Sequence, residues 1–179
     1  MSALTSVFHP DLTMAGLLDL YPGAQRALFR QYHIGGCSSC GFRPEETLAE
    51  VCFRNEKLPV GDVLEFLEKS REEDEKSLIT PEEAAALPSA RLLDIRTREE
   101  FEAVHIPGST LFTQELLSEI TSQWDREALL IIVDHQGKRA LDAAAYFAGH
   151  GFSEVRALHG GIDAWSQQID PSLPRYHLE

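Results

Sequence analysis

The sequence predicts an α/β protein in two units: a small all-α unit over residues 1–69, and a doubly wound parallel-sheet unit over residues 78–179. Three observations carry this prediction. The chain has 179 residues, with 43% hydrophobic and 25% charged, which suits a packed globular protein of one domain or one domain with an appendage. Residues 13–67 show apolar residues at helical spacing only. After residue 77, short apolar runs alternate with helical patterns, as a parallel sheet with crossover helices requires.

In the first unit, Met14, Leu17 and Leu18 lie at helical spacing between Thr13 and Leu20, and Tyr21-Pro22-Gly23 ends that helix. Pro22 suits the first turn of a second helix carrying Ala24, Ala27, Leu28 and Tyr32, which Gly35-Gly36 breaks. A third helix is expected to open at Pro44, with Leu48, Val51 and Cys52 on one face, and a fourth carries Val60, Val63, Leu64 and Leu67. The polar stretch 70–77 (SREEDEKS) reads as an acidic linker or as an extension of the fourth helix.

In the second unit, strands are expected over Leu92–Ile95, Ser109–Phe112, Leu129–Val133 and Val155–Leu158. The run Leu129–Val133 is apolar on both faces, the pattern of a central parallel strand. Thr80 with Glu83, and Thr97 with Glu100, have the spacing of capping boxes and mark two helix starts.

Sixteen Lys and Arg against 29 Asp and Glu leave a formal charge of −13. The deficit is shared: 8 basic and 13 acidic residues before Leu78, then 8 and 16 from there on. A chain repelling phosphate along its whole length is expected to bind neither nucleic acid nor an anionic membrane surface. The longest apolar run, Ala128–Val133, falls far short of the ~20 residues of a membrane span. No Lys or Arg precedes Arg26 and no signal-peptide pattern opens the chain, so a cytoplasmic protein is expected.

The strongest chemical pattern of the second unit follows its most apolar strand: Asp134-His135-Gln136-Gly137-Lys138-Arg139, then a helix from Ala140. A loop between a strand's carboxyl end and a helix's amino end gathers backbone amides that stabilise an anion. Five segments in order resemble the rhodanese family of sulfurtransferases: Leu93-Asp94-Ile95-Arg96 with Glu99-Glu100-Phe101, His105-Ile106-Pro107-Gly108, the loop, Gly149-His150-Gly151-Phe152, and Leu158-His159-Gly160-Gly161-Ile162-Asp163-Ala164-Trp165. The resemblance implies a doubly wound domain whose six-residue loop, C-x-x-G-x-R, cradles a cysteine persulfide.

Asp134 stands where that pattern has cysteine, Gly137 and Arg139 match its glycine and arginine, and Ala140 follows in place of a common serine. A carboxylate cannot carry sulfane sulfur as a thiolate does. Asp134 is therefore expected to fill an anion nest in a degenerate loop, with Arg139 as a brace and His135 exposed. An aspartyl nucleophile is the alternative, but no second acid or metal-binding motif adjoins it. His105, His150 and His159 are expected to make backbone hydrogen bonds within family turns, and Phe152 and Trp165 to be core.

In the first unit, Leu20-Tyr21-Pro22-Gly23-Ala24, His33-Ile34-Gly35-Gly36-Cys37-Ser38-Ser39-Cys40-Gly41 and Glu46-Thr47-Leu48-Ala49-Glu50 resemble a helical family described as hybrid-cluster-associated redox disulfide proteins. That resemblance implies a CxxC-type pair on a glycine-rich loop. Two cysteines three apart, in a chain with only three, read as redox or metal chemistry rather than a disulfide framework. Cys37 and Cys40 are thus the candidate redox dithiol. A zinc or iron-sulfur site stays open, with His33, Cys37, Cys40 and Cys52 as ligands, or with Cys37 and Cys40 from each chain of a homodimer. Cys52 reads more simply as core.

The expected function is thiol redox or sulfur handling through Cys37 and Cys40, on a protein partner in thiol or sulfur transfer and with no bound cofactor. The rhodanese-like unit then serves as a docking scaffold without thiosulfate sulfurtransferase activity. A binding module without chemistry, and a zinc or iron-sulfur module, are the alternatives.

Overall fold

The computed structural model describes residues 7–35 and 41–176, so Cys37 and Cys40 lie outside the described residues. The chain divides into two compact units, residues 1–76 and 77–179.

The first unit holds α1 (Met14–Leu20), α2 (Ala24–Tyr32), α3 (Leu48–Arg54) and α4 (Val60–Lys76). Their apolar faces meet in one core that includes Met14, Leu17, Leu28, Leu48, Val51, Val63 and Leu67. Pro22 lies ahead of α2 rather than in its first turn, because Gly23 is the N-cap. α3 begins at Leu48, four residues later than Pro44, and the reason is local. The carbonyls of Glu46 and Pro44 accept the first amides of α1, from Met14 at 2.8 Å and Ala15 at 2.9 Å. Thr13 and Thr47 form an antiparallel bridge alongside. Residues 44–47 are therefore committed to satisfying α1, and α3 starts only when the Thr47–Glu50 capping box closes.

The stretch 70–76 is helix, not linker, and it has folded partners. Asp74 accepts from Tyr21 Oη at 2.6 Å and from Arg26 Nη2 at 2.5 Å on α2, while Arg71 bridges Glu68 and Glu75 along α4 itself. Burial, and then the hydrogen bond to Asp74, push the Tyr21 phenol well above its ordinary range.

The second unit runs β1 (Leu78–Ile79), α5 (Pro81–Ala85), β2 (Arg91–Asp94), α6 (Arg98–Ala103), β3 (Thr110–Leu111), α7 (Gln114–Gln123), β4 (Leu130–Val133), α8 (Ala140–Gly149), β5 (Val155–Leu158) and α9 (Gly161–Gln168). All strand pairs are parallel, in the order β1-β5-β4-β2-β3. Leu130 and Ile132 face a core with Ala140, Ala144 and Phe147 of α8 and Ile120 of α7. Ile131 and Val133 face the opposite core with Ala84, Val104, Ile162 and Trp165. Alternation of side chains across a strand thus gives β4 two buried faces, which is why its sequence is apolar throughout. Among the described residues, no helix is long and apolar enough to cross a membrane.

Candidate functional site

The loop 134–139 leaves the carboxyl end of the central strand β4 and enters α8. Asp134 is 4% exposed. Its Oδ1 accepts from the Gly137 amide at 2.5 Å, and its Oδ2 from the amides of Arg139 at 2.7 Å and Ala140 at 3.2 Å. The carboxylate thus sits where loop and helix N-terminus both offer donors, and it uses them itself.

The loop is held from behind by the start of α9. The carbonyls of Asp134 and His135 accept from Ile162 N at 2.9 Å and Asp163 N at 3.1 Å, satisfying first-turn donors of that helix. Backbone must approach closely for this, which explains the paired glycines. Gly161 has φ +60°, and a Cβ there would lie 2.6 Å from the His135 carbonyl carbon; one on Gly137, at φ +81°, would lie 2.8 Å from Gly160 N.

His135 is not the exposed loop histidine expected from sequence. Its ring stacks on Tyr176, and its Nε2 lies 3.0 Å from the Tyr176 carbonyl oxygen. A carbonyl only accepts, so Nε2 carries the proton. The chain after α9 crosses here. Ser166 Oγ donates to the Leu173 carbonyl at 2.5 Å, Arg175 pairs with Asp163 at 2.7 Å and 3.0 Å, and Tyr176 follows. Sequence gives Tyr176 no motif; only its place in a Pro-containing tail returning past the sheet hints at it.

Tyr176 Oη donates to Glu100 Oε1 at 2.6 Å and accepts from Arg96 Nη1 at 2.8 Å. Arg96 also donates to Asp94 at 2.7–3.2 Å and to the Val104 carbonyl at 2.7 Å. The Arg96–Asp94 pair is almost fully buried. Burial disfavours the Arg96 cation, yet Asp94 and Tyr176 outweigh this and raise its pKa. Burial and then Glu100 push the Tyr176 phenol up to about 12. Burial likewise opposes ionisation of Glu100, but bonds from Tyr176 and Thr97 and the charge of Arg96 hold it below its ordinary value. Asp94, Arg96 and Glu100 were visible as family segments, whereas the joining of all three to the loop through Tyr176 was not.

Gln136, Lys138 and Arg139 are exposed. Arg139 braces the loop through its backbone amide, not its side chain. Arg139 also lines a groove of about 370 Å³ together with Ile95, Phe112, Leu117, Tyr146 and Phe147. Phe152 and Trp165 are core, and the His105 and His150 rings each contact a backbone carbonyl at 2.8 Å. The His159 ring is exposed and has no such bond among the described residues.

In the first unit, His33 caps α2 in the left-handed conformation and is exposed, while Cys52 is 1% exposed in the helical core. Burial pushes the Cys52 thiol up. Among the described residues, no cluster of three or more His, Cys, Asp or Glu has a metal-holding arrangement.

A family model for the rhodanese-like domain matches residues 80–168. The thiosulfate sulfurtransferase GlpE of Pseudomonas syringae is 36% identical over 89 residues, covering 49% of this chain and 84% of that protein. GlpE of Ectopseudomonas mendocina is 39% identical over 89 residues, 49% of this chain and 82% of that protein. Among solved structures, a rhodanese-related protein from Thermoplasma volcanium aligns with 55% of this chain and 98% of its own at 19% identity, with a TM-score of 0.47.

Proposed function

Because the chain belongs to the rhodanese-like family through residues 80–168, we propose that it handles sulfur or thiols without being a thiosulfate sulfurtransferase. Cys37 and Cys40 are the reacting groups, and the α/β unit serves as a docking scaffold. The observation that carries this reading is the Asp134 carboxylate seated on three backbone amides, in a loop whose Gly137 and Arg139 match C-x-x-G-x-R. The donors that would stabilise an incoming anion already hold one, and the group they hold has no sulfur to form a persulfide.

The dithiol reading rests on the spacing of Cys37 and Cys40 and on the contrast with Cys52, which burial makes unreactive. Two thiols closing to a disulfide release two protons and pass two electrons to the disulfide of a protein partner. A reducing compartment, the cytoplasm, suits such a pair. The charge of −13 argues against nucleic acid as that partner.

The test has two arms. Wild-type protein is expected to show no thiosulfate:cyanide sulfurtransferase activity, while Asp134→Cys gains measurable turnover; wild-type turnover at the level of an ordinary rhodanese would overturn the scaffold reading. A thiol count should fall by two on mild oxidation and recover with reductant. An unchanged count would remove the dithiol and leave a binding module.

A further inference from the structure

The groove between α7 and α8 adjoins the Asp134 loop through Arg139, while the rest of its lining comes from residues outside that loop. Its floor is apolar and aromatic. Phe112 and Phe147 meet edge-on with centroids 6.3 Å apart, Tyr146 meets Phe147 edge-on at 5.4 Å, and Ile95, Leu117 and Ala143 complete the lining. At about 370 Å³ it falls within the range of small-molecule pockets, ~300–1,000 Å³. Tyr146 is 45% exposed although its ring also lies 4.2 Å from the His150 ring, centroid to centroid.

The polar residues of the lining are Arg139 and Gln114. Arg139 is exposed, and among the described residues its guanidinium makes no ion pair, as is also true of Arg30, Arg43, Arg91, Arg98 and Arg126, so it is open to an external anion. The neighbouring Lys138 is exposed as well, so two cations stand at this end of the loop in a chain carrying −13. The Arg139 charge is not spent on the loop, because Asp134 takes only the backbone amide of Arg139. A guanidinium binds a carboxylate in a bidentate fork, and the aromatic floor accepts a ring in stacked or edge-on geometry.

We propose that this groove is a binding site for a small aromatic carboxylate, with the ring against Phe112 and Tyr146 and the carboxylate on Arg139. Inorganic sulfur anions such as thiosulfate fit it poorly, since they would leave the apolar floor uncovered.

The probe is naphthalene-2-carboxylate, titrated into the full-length protein by calorimetry and by amide-resolved NMR. The expected result is saturable binding with shifts at Phe112, Arg139, Ala143 and Tyr146. Charge-assisted hydrogen bonds contribute ~1.5–3 kcal/mol, so Arg139→Gln, or the neutral naphthalene-2-carboxamide, should weaken binding by about tenfold or more. Ala143→Trp should abolish it by filling the groove, with tryptophan fluorescence checking that both variants fold. Equal affinity for acid and amide, full retention by Arg139→Gln, equal or tighter binding of thiosulfate, or no saturable binding to the wild type would each overturn the proposal. Tighter binding of a peptide ending in phenylalanine would also overturn it and give the groove to a chain terminus.

Discussion

The rings of His135 and Tyr176 lie 13° from parallel, with centroids 4.3 Å apart. This stack joins the loop after β4 to a residue 41 positions later, and through the Tyr176 hydroxyl to the Arg96–Asp94 pair at the end of β2. Loop, α6 and C-terminal segment therefore form one hydrogen-bonded assembly.

Removing only the hydroxyl tests that assembly. Tyr176→Phe keeps the stack and should cost the second unit about 1 kcal/mol, and Tyr176→Ala more. Both tryptophans, Trp124 and Trp165, lie in this unit, so fluorescence-detected urea unfolding reads it alone.

The same residue sets a pH dependence. The folded phenol at about 12 lies above its ordinary value of 10.0. A group raised on folding stabilises fully below its unfolded pKa and loses that contribution as pH climbs through the folded one. Wild-type stability should therefore fall more steeply than that of Tyr176→Phe between pH 10 and 12. Equal slopes would contradict a phenol raised first by burial and then by Glu100. Glu100, held below its ordinary 4.5, acts at the opposite end: its contribution is present above that value and fades as pH drops beneath it.

Asp134→Ala strips the acceptor from three amides and should destabilise the second unit by about 2–4 kcal/mol. The emptied cradle should then take an inorganic anion, so sulfate should raise the melting temperature of the variant more than that of the wild type at matched ionic strength. Equal responses would argue against a nest.

Gly161→Ala should be among the most damaging single-methyl additions in the chain, since φ is positive and loop backbone fills the space. Loss of about 3 kcal/mol or more is expected, against a change within about 1 kcal/mol for Gly149→Ala, where nothing lies within 4 Å of the added carbon. Denaturant midpoints compare the two.

Alkylation of native, reduced protein should label Cys37 or Cys40 well before Cys52, whose thiol is buried and raised. Peptide mass spectrometry orders the sites, and Cys52 reacting first would contradict the positional argument.

What was legible in the sequence was whatever repeats locally. Leu130–Val133 announces a two-faced strand by its own composition, and Thr80 and Thr97 announce helix starts by a partner three residues on. The short edge strand Leu78–Ile79 has no such signature, because two residues define no period. The late start of α3 and the helical state of residues 70–76 depend on what α1 and α2 demand of them, which is tertiary information. For the site, Asp134 could be read from the loop pattern. Tyr176 could not, since its hydrogen bond to Arg96 spans 80 positions. Nor could the groove, which draws side chains from segments around β2, β3, α7 and α8.

The two outer strands of the sheet, β1 and β3, are each two residues long. An outer strand exposes unpaired amides and carbonyls on which another chain can template, and the hazard grows with its length. Here either border offers too little ladder to seed such growth, while the hydrophobic four-residue strands β4 and β2 are shielded inside. The apolar composition that builds this sheet is thus kept from promoting aggregation through its edges.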